Sequence, residues 1–287
     1  MTRFRKEVAF REVPGGIAVP AEDFSLPATL QCGQCFRWKQ CEDGTWQGAA
    51  MGKRLTLREE NGEILFSAGK EEFLEVWVPY FDLELDYGKI RRSLSRKHPV
   101  SREACRYAPG IRILRQDPWE ALCSFIISQN NNIPRIQGII SRLCELYGGE
   151  NGGNTAFPPP EWLAELSVED LAPLRSGFRA KYLLSAARLT VSGEVDLTAA
   201  AKLPVDEARE MLAGRPNLYV DTSSAIYALK PAHAAEIIRA FGVKRVMFGT
   251  DYPMWTPVEE VERFEALPLT AAEKEQIYHI TAEELLD

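Results

Sequence analysis

Three consecutive asparagines, Asn130-Asn131-Asn132, interrupt an apolar helical pattern in the middle of the chain. Before them, Asp117-Pro118 provides a helix N-cap and a first-turn proline. After them, a second apolar stripe runs to Gly148-Gly149, where a helix would end. Because asparagine amides compete for local backbone hydrogen bonds, the run is unfavourable inside a helix. The sequence therefore predicts two core helices joined by a polar turn, with Arg135 one turn later; an Asn-rich turn of purely structural role fits the spacing equally well.

Four motifs, the asparagine run among them, occur in a fixed order along the chain. They are Gly33-Gln34-Cys35-Phe36-Arg37-Trp38, Arg115-Gln116-Asp117-Pro118, the run from Ser128 to Ile136, and Phe178-Arg179-Ala180-Lys181-Tyr182. Together they resemble the Ogg-type 8-oxoguanine DNA glycosylases of the helix-hairpin-helix superfamily, from near the N-terminus to about Gly214. The resemblance implies that the partner is double-stranded DNA containing 8-oxoguanine opposite cytosine.

Gly33 has the role of lesion recognition by this resemblance. Its backbone carbonyl would accept the N7 hydrogen that 8-oxoguanine has and guanine lacks, so guanine would leave this contact unsatisfied. Without the flanking motif, a strand bulge would be the preferred interpretation of Gly33. Trp38 is expected in the core rather than under a base. Cys32 and Cys35 lack the further ligands of a zinc site and are expected to be small buried thiols.

The resemblance also places DNA contacts on the asparagine run and on the Phe178-Arg179 pair. In the run Asn130-Asn131-Asn132, Asn130 would fill the gap left when the lesion swings out of the duplex. Arg135 and Arg179 would hold the stranded cytosine, whose O2 and N3 accept hydrogen bonds from guanidinium groups. Phe178 would wedge against the base stack; the alternative is a core phenylalanine beside Leu174.

The resemblance ends at about Gly214, before the segment that carries the family's catalytic residues. In the family, the segment corresponding to Leu212-Ala213-Gly214 leads into a hairpin of the form L-P-G-V-G-x-K, whose lysine is the nucleophile, and an aspartate further on completes the site. This chain continues instead with Arg215-Pro216-Asn217, and neither Lys230 nor Lys244 lies in matching surroundings. No catalytic residue is therefore assigned, because Schiff-base chemistry needs that lysine and a carboxylate.

A second resemblance begins after the joint. The segments Asn217 to Ser223 and Arg245 to Pro253 resemble the closing strands of a metal-dependent amidohydrolase TIM barrel. Two strands are a fraction of the eight that close such a barrel. Asp251 is an orphan amidohydrolase-type position, since the chain has only three histidines and no H-x-H pair. We expect Asp251 to be a local hydrogen-bonding residue at a strand end, and we predict no metal site and no cofactor.

These patterns predict an α+β chain assembled from two unrelated gene fragments. Residues 1–100 form an N-terminal antiparallel-sheet domain, with strands over 25–67 and a hairpin turn at Asn61-Gly62. Residues 101–214 form a helical glycosylase domain that lacks its helix-hairpin-helix. Residues 215–287 form a small, incomplete α/β appendage, a partial TIM barrel, whose helices carry capping-box spacings at Thr270 to Glu273 and Thr281 to Glu284.

Charge neither supports nor excludes a nucleic-acid partner. The chain of 287 residues carries a formal charge of −7, of which residues 1–214 contribute −2 (27 Lys+Arg, 29 Asp+Glu) and residues 215–287 contribute −5 (7 against 12). Arg91, Arg92, Arg96 and Lys97 form a basic cluster that fits either a DNA-binding face or a solvated helix face. No apolar run predicts a membrane span and the N-terminus lacks a signal-peptide pattern, so we expect a cytoplasmic monomer, nucleoid-associated if bacterial.

Three hypotheses of function follow. The first is an 8-oxoguanine DNA glycosylase and AP lyase by descent, acting in base-excision DNA repair but inactive in this chain because its nucleophile is missing. The second is a damaged-DNA-binding module that recognises the lesion without excising it. The third is a metal-dependent amidohydrolase fragment.

Overall fold

The computed structural model describes residues 4–96, 99–148, 156–200, 202–203, 219–223, 226, 229–250 and 256–286. The chain divides into two compact units, Met1–Leu197 and Thr198–Asp287. The domain boundaries expected near residues 100 and 214 remain predictions, and the second lies outside the described residues. None of the helices in the described ranges combines the length and the apolar character that a membrane crossing requires.

The first unit contains a six-stranded antiparallel sheet in the order β1-β2-β6-β5-β4-β3. Its strands are β1 Arg11–Val13, β2 Gly16–Pro20, β3 Trp38–Gln40, β4 Trp46–Ala50, β5 Lys53–Glu60 and β6 Glu63–Phe66. Leu57 of β5 lies opposite Phe66 on one side and Trp46 on the other, and all three are buried. Alternating apolar residues therefore bury one face of the sheet, as the period of two predicts.

The hairpin turn predicted at Asn61-Gly62 is confirmed between β5 and β6. Both residues have positive φ, 52° and 78°, which is the requirement of the turn that matches strand twist. The prediction that strands begin at residue 25 is wrong. Ser25 instead caps a short helix, α1 Leu26–Leu30, with a proline in its first turn. The sheet begins earlier, at Arg11.

Aromatic side chains form the core beneath this sheet. The indole of Trp38 is buried, as expected, and its Nε1 donates a hydrogen bond to the Tyr80 hydroxyl at 3.0 Å. Trp77 and Phe81 contact the same ring system at centroid distances of 6.3 and 5.8 Å from Trp38. Gly48 lies opposite Trp38 in the sheet, where any side chain would overlap the indole.

The rest of the first unit is mostly helical. Its helices are α2 Lys70–Glu72, α3 Val78–Tyr80, α4 Tyr87–Ser95, α5 Pro99–Tyr107, α6 Pro118–Ser128, α7 Ile133–Tyr147, α8 Pro160–Ala164, α9 Arg179–Val191 and α10 Leu197–Ala200, the last ending in the second unit. A π-helical turn, Phe73–Trp77, joins α2 to α3. A second apolar core lies among α6, α7 and α9, where Ile127, Ile139 and Leu183 are fully buried. This core confirms both predicted helices on either side of the asparagine run.

The second unit has the predicted order of strand, helix, strand and helices. Its elements are β7 Val220–Asp221, α11 Pro231–Phe241, β8 Val246–Met247, α12 Pro257–Glu265, α13 Ala271–Glu275 and α14 Thr281–Leu286. The two strands pair in parallel. Val246 is buried, and Phe248 packs against the rings of Phe264 and Tyr278 at 5.3 and 5.0 Å. Leu218, the other apolar residue expected in these strands beside Val220, lies outside the described residues.

Only one of the two predicted capping boxes is present in this unit. Thr270 caps α13 and exchanges hydrogen bonds with Glu273, as predicted. Thr281 is not a cap, because its buried hydroxyl donates to the Gln276 carbonyl in a continuous helical run through the π-helical turn Gln276–Ile280. Together the two units confirm a mixed α+β fold with an N-terminal antiparallel sheet.

The contact between Gly48 and Trp38 leads to a stability prediction. Gly48→Ala should lower the free energy of unfolding by about 1–3 kcal/mol, because an added methyl group forces apart a well-packed sheet and indole. Gly69→Ala is the matched control: Gly69 has negative φ and open space around its Cα. Urea unfolding followed by tryptophan fluorescence measures both, and equal losses would contradict the packing argument.

Candidate nucleic-acid interface

Helices α6 and α7 each begin at a capping side chain, and the turn between them contains the cap of α7. Asp117 caps the start of α6, where its carboxylate accepts a hydrogen bond from the Glu120 amide at 2.9 Å. Asn132 caps α7, where its Oδ1 accepts a hydrogen bond from the Arg135 amide at 3.1 Å. Each cap thus satisfies one of the free amides that a helix start exposes.

The three asparagines of this turn differ in the hydrogen bonds of their side chains. The Asn131 amide donates to the Ile127 carbonyl at 2.9 Å and closes the end of α6, while its Oδ1 accepts from the Asn132 amide. Asn132 is the cap of α7. Asn130 is exposed, has a φ of +47° in the left-handed region, and forms no side-chain hydrogen bond with the described residues. Asn130 is therefore the asparagine whose amide is available to a ligand.

Arg179 lies beneath the turn instead of on the surface. The residue is 3% exposed, and its guanidinium donates to the carbonyls of Gln129, of Asn130 at 2.9 Å and of Ser176 at 3.1 Å. Most of its donors are therefore engaged by backbone acceptors in this structure, and the direct contact of Arg179 with a cytosine stays a prediction. The bond to Asn130 fixes the left-handed residue from below.

Arg135 remains exposed at the start of α7. Burial, and secondly the positive charge of Arg135, lower the pKa of Arg179. Two guanidinium groups therefore lie close together at one turn, where an acceptor-rich group would relieve their repulsion. Of the two, Arg135 is the one that can reach a ligand without first breaking contacts to the backbone.

Exposed apolar side chains flank the turn. Phe178 precedes α9, is 50% exposed and lies 4.4 Å from the Arg179 guanidinium, which packs against its ring. Tyr182 meets the same ring edge-on at 6.2 Å. The core alternative for Phe178 is thus wrong. Phe125 of α6, 62% exposed, and Ile133 of α7 are further apolar residues beside the turn that the core leaves uncovered.

Gly33 lies in a loop between α1 and β3. It is exposed, has a φ of +87° and has no atom within 4 Å of where a side chain would begin. The strand-bulge alternative does not apply, because the loop is not part of a strand. Cys35 is buried as expected, whereas Cys32 beside Gly33 is exposed, contrary to expectation. The backbone at Gly33 is thus exposed, with open space where a side chain would stand.

Gln34 fastens this loop to the segment that leads into α6. Its side-chain amide donates to the carbonyls of Thr29 at 2.9 Å and Arg112 at 2.7 Å, and its Oε1 accepts from the Leu114 amide at 2.9 Å. The Gln116 side chain donates in turn to the Gln34 carbonyl. The sequence assigned no role to either glutamine, although each stands inside one of the four motifs. A glutamine side chain suits such backbone anchoring, because its amide both donates and accepts hydrogen bonds.

Arg37 and Glu120 join the same loop to the first turn of α6. They form an ion pair at 3.1 Å that is almost wholly enclosed. Burial raises the pKa of Glu120, and the Arg37 charge opposes this shift. Gly33 and Asn130 therefore belong to elements fixed to opposite ends of α6, a helix about 16 Å long by its 11 residues.

Two positions that bear on the missing chemistry fall outside the part of the chain that the structure describes. The joint after Gly214 and the orphan position Asp251 both lie outside the described residues. Lys181, which follows Arg179 in α9, is exposed and lies 5.1 Å from the Tyr182 ring. Among the residues that the structure covers, no three His, Cys, Asp or Glu side chains converge as metal ligands would.

Comparison with known proteins matches both parts of the chain to families. Residues 16–122 match the family "8-oxoguanine DNA glycosylase, N-terminal domain", and residues 192–287 match the family "Amidohydrolase". The N-glycosylase/DNA lyase of Saccharomyces cerevisiae is 30% identical over 203 residues, which cover 63% of this chain and 54% of the relative. The chain spans about half the length of the curated relatives it matches.

Solved structures give the same family. MBOgg1, determined with a low-affinity DNA ligand, is 32% identical with a TM-score of 0.68, covering 97% of this chain and 99% of that one. The 8-oxoguanine glycosylase/lyase of Clostridium acetobutylicum, determined with double-stranded DNA containing cytosine opposite 8-oxoguanine, is 28% identical with a TM-score of 0.67. That match covers 98% of this chain and 99% of the other.

The two arginines at the turn should differ in their effect on stability. Arg179→Met should lower the free energy of unfolding by about 1–3 kcal/mol, because three backbone carbonyls lose their donor. Arg135→Met should change it by no more than about 0.5 kcal/mol, since Arg135 is exposed. Urea unfolding compares the two variants, and a larger loss for Arg135→Met would show that the structural roles are reversed.

Proposed function

Because this chain belongs in its N-terminal part to the Ogg-type 8-oxoguanine DNA glycosylases, we propose that it binds duplex DNA carrying 8-oxoguanine opposite cytosine. The observation that carries the proposal is the turn at Asn130. Its amide is exposed and free, its backbone is fixed from below by Arg179, and Arg135 and Phe178 stand beside it. Among the described residues, this turn combines the exposed Asn130 amide with an exposed arginine and a half-exposed aromatic ring, a set of groups that fits the opening of a base pair.

Each exposed group has a separate task in this proposal. Asn130 enters the space that the extruded nucleotide leaves and keeps the duplex open. Arg135 donates to O2 and N3 of the stranded cytosine, a pair of acceptors that suits a guanidinium. Phe178 wedges against the neighbouring base, held in place by the Arg179 guanidinium and the edge of Tyr182. Arg179 acts indirectly, through the position of Asn130.

Gly33 supplies the discrimination between lesion and normal base. Its carbonyl accepts the N7 hydrogen of 8-oxoguanine, and guanine, which has an acceptor at N7, would leave two acceptors facing one another. The open space around Gly33 permits this approach, and Gln34 holds the loop so that the carbonyl keeps its direction.

The proposed function does not include base excision, because the family's catalytic segment has no counterpart in this sequence. The sequence after Gly214 contains no L-P-G-V-G-x-K hairpin, so the helical domain lacks its helix-hairpin-helix and its nucleophilic lysine. The protein is therefore a damage-binding member of the family, without excision. A lysine elsewhere would have to stand about 3–3.5 Å from the reacting carbon and be held there by its surroundings.

The second candidate function is that of an amidohydrolase fragment. It is favoured by the match of residues 192–287 and by the parallel pairing of β7 and β8, whose ends are joined by a hydrogen bond from the Gly249 amide to the Thr222 hydroxyl at 3.2 Å. We interpret residues 215–287 as a partial barrel, too short to close and without a metal site. Stoichiometric zinc in the purified protein would favour the amidohydrolase instead.

Binding measurements test the role of Arg135. Arg135→Ala should weaken binding to a duplex with 8-oxoguanine opposite cytosine by about 1–3 kcal/mol, the range for a lost bidentate base contact. The loss should be smaller when adenine replaces that cytosine. Arg58→Ala, an exposed arginine on β5, is the control. Fluorescence anisotropy gives all the affinities, and equal binding by Arg135→Ala and the parent chain would contradict the proposed contact.

Covalent trapping tests the missing chemistry. Incubation with an 8-oxoguanine duplex or an abasic duplex and borohydride should yield no specific protein–DNA adduct and no strand cleavage, because no lysine occupies the nucleophile's position. A chain in which an L-P-G-V-G-x-K hairpin and the rest of the family's C-terminal half follow Gly214 should regain both activities. Lesion-specific cleavage by the unmodified chain, with one trapped lysine, would refute the proposed loss of catalysis.

A further inference from the structure

Helices α4 and α5 form a strongly basic hairpin on an acidic protein. Residues 86–96 and 101–107, here called the basic hairpin, carry six arginine and lysine side chains against two carboxylates, Asp86 and Glu103, a formal charge of +4. The whole chain carries −7. Cationic charge is therefore concentrated here against the average of the molecule.

Carboxylates neutralise only part of this charge. Three of the cations form ion pairs: Arg91 with Asp23 at 2.7 Å, Lys89 with Asp86 at 3.1 Å, and Arg106 with Glu103 at 3.6 Å. Arg92 and Arg96 are exposed and form no ion pair with any residue that the structure describes. The hairpin thus presents two exposed arginines without an ion-pair partner among the described residues.

The spacing of the cations places them along one line. Lys89, Arg92 and Arg96 follow at intervals of three and four residues and so lie on one face of α4, over about 10 Å. A DNA strand presents one phosphate per roughly 3.4 Å of helix axis. Three cations over this length therefore match the phosphates of about three successive nucleotides.

The hairpin is held firmly enough to present these charges as a fixed array. Gly88 has no side chain, which lets the Asp23 carboxylate lie against α4, where it pairs with Arg91. The Arg102 guanidinium donates to the Ser95 carbonyl at 3.2 Å and so ties α5 to the end of α4. A fixed array loses less side-chain freedom on binding than separate flexible cations do.

A solvated helix face is the alternative, and the charge pattern argues against it. Arg92 and Arg96 stand four residues apart, a spacing at which like charges destabilise an isolated helix. A glutamate at either position would stabilise the helix instead. The repulsion is relieved when an anionic partner binds across both residues, so the pattern fits a polyanion better than solvent.

We propose that the basic hairpin is a second DNA-contact surface, which holds phosphates of the duplex that flank the lesion. The inference rests on the proposed function for the identity of the partner, but it assigns the affinity for undamaged DNA to a surface other than the asparagine turn. Phosphate contacts add affinity without sequence information. The hairpin therefore strengthens binding to every duplex equally, whereas the turn selects the lesion.

The test removes two charges from the hairpin. Arg92→Gln with Arg96→Gln is compared with Lys53→Gln with Arg58→Gln, which removes the same charge from exposed positions on β5. Anisotropy titrations use undamaged and 8-oxoguanine duplexes at several salt concentrations. The hairpin variant should bind both duplexes roughly ten- to thirty-fold more weakly near 0.15 M salt, and its salt dependence should fall by about 1.8, since each phosphate contact contributes about 0.9. Circular dichroism confirms that each variant is folded.

The outcomes separate this inference from the proposed function. If the hairpin variant loses affinity equally for both duplexes and keeps the preference for the lesion, the hairpin inference is supported. If the loss of affinity is equal but the parent chain itself has no preference for the lesion, the hairpin inference is supported and the proposed function is refuted. Affinity and salt dependence equal to those of the β5 control overturn the hairpin and leave lesion binding to the turn. The hairpin inference is also overturned if the parent chain binds no duplex. The same holds if the hairpin residues promote binding to phosphatidylglycerol vesicles but not to DNA.

Discussion

The buried ion pair between Arg37 and Glu120 joins the loop of Gly33 to the first turn of α6, the helix that leads to the turn of Asn130. Arg37 leaves the sheet core beside Trp38, and Glu120 belongs to the helical core beside Cys123. A buried pair contributes little net stability, because the loss of hydration offsets much of its attraction, but removal of one partner leaves a buried charge. The pair instead contributes to orientation, together with the Gln34 and Gln116 hydrogen bonds that hold the same loop. The loop of Gly33 and the turn of Asn130 inherit that orientation.

Local hydrogen-bonding chemistry explains the features that the sequence predicted. Asp117 and Asn132 cap their helices and Asn61-Gly62 makes its hairpin turn because each signal acts within four residues. Such interactions are visible in a sequence, since the partners are near neighbours along the chain. The apolar stripe of α7 was equally clear, because one face of a long amphipathic helix must be buried.

Contacts between distant segments explain what the sequence did not predict. Arg135 and Arg179 are the same type of residue and each belongs to one of the four motifs, yet one is exposed and the other is enclosed under a turn 49 residues away. The anchoring by Gln34 likewise spans 78 residues to the Arg112 carbonyl. The exposure of Cys32 depends on the same loop. The residue types in the four motifs could therefore be read from the sequence. Which of these side chains are exposed and which are enclosed by backbone contacts depends on the tertiary structure.

The left-handed backbone of Asn130 has a consequence for the entropy of binding. Ordering one residue of a flexible loop costs about 1–2 kcal/mol, a cost that a protein with a disordered loop bears each time it meets its ligand. Here the carbonyl of Asn130 is already bonded to Arg179, so this ordering occurs during folding. The cost of the unusual conformation is also low at this position, because asparagine tolerates positive φ better than most residues. Glycine would keep the geometry without the amide, and alanine would keep neither, so backbone shape and recognition can be varied separately at a single codon.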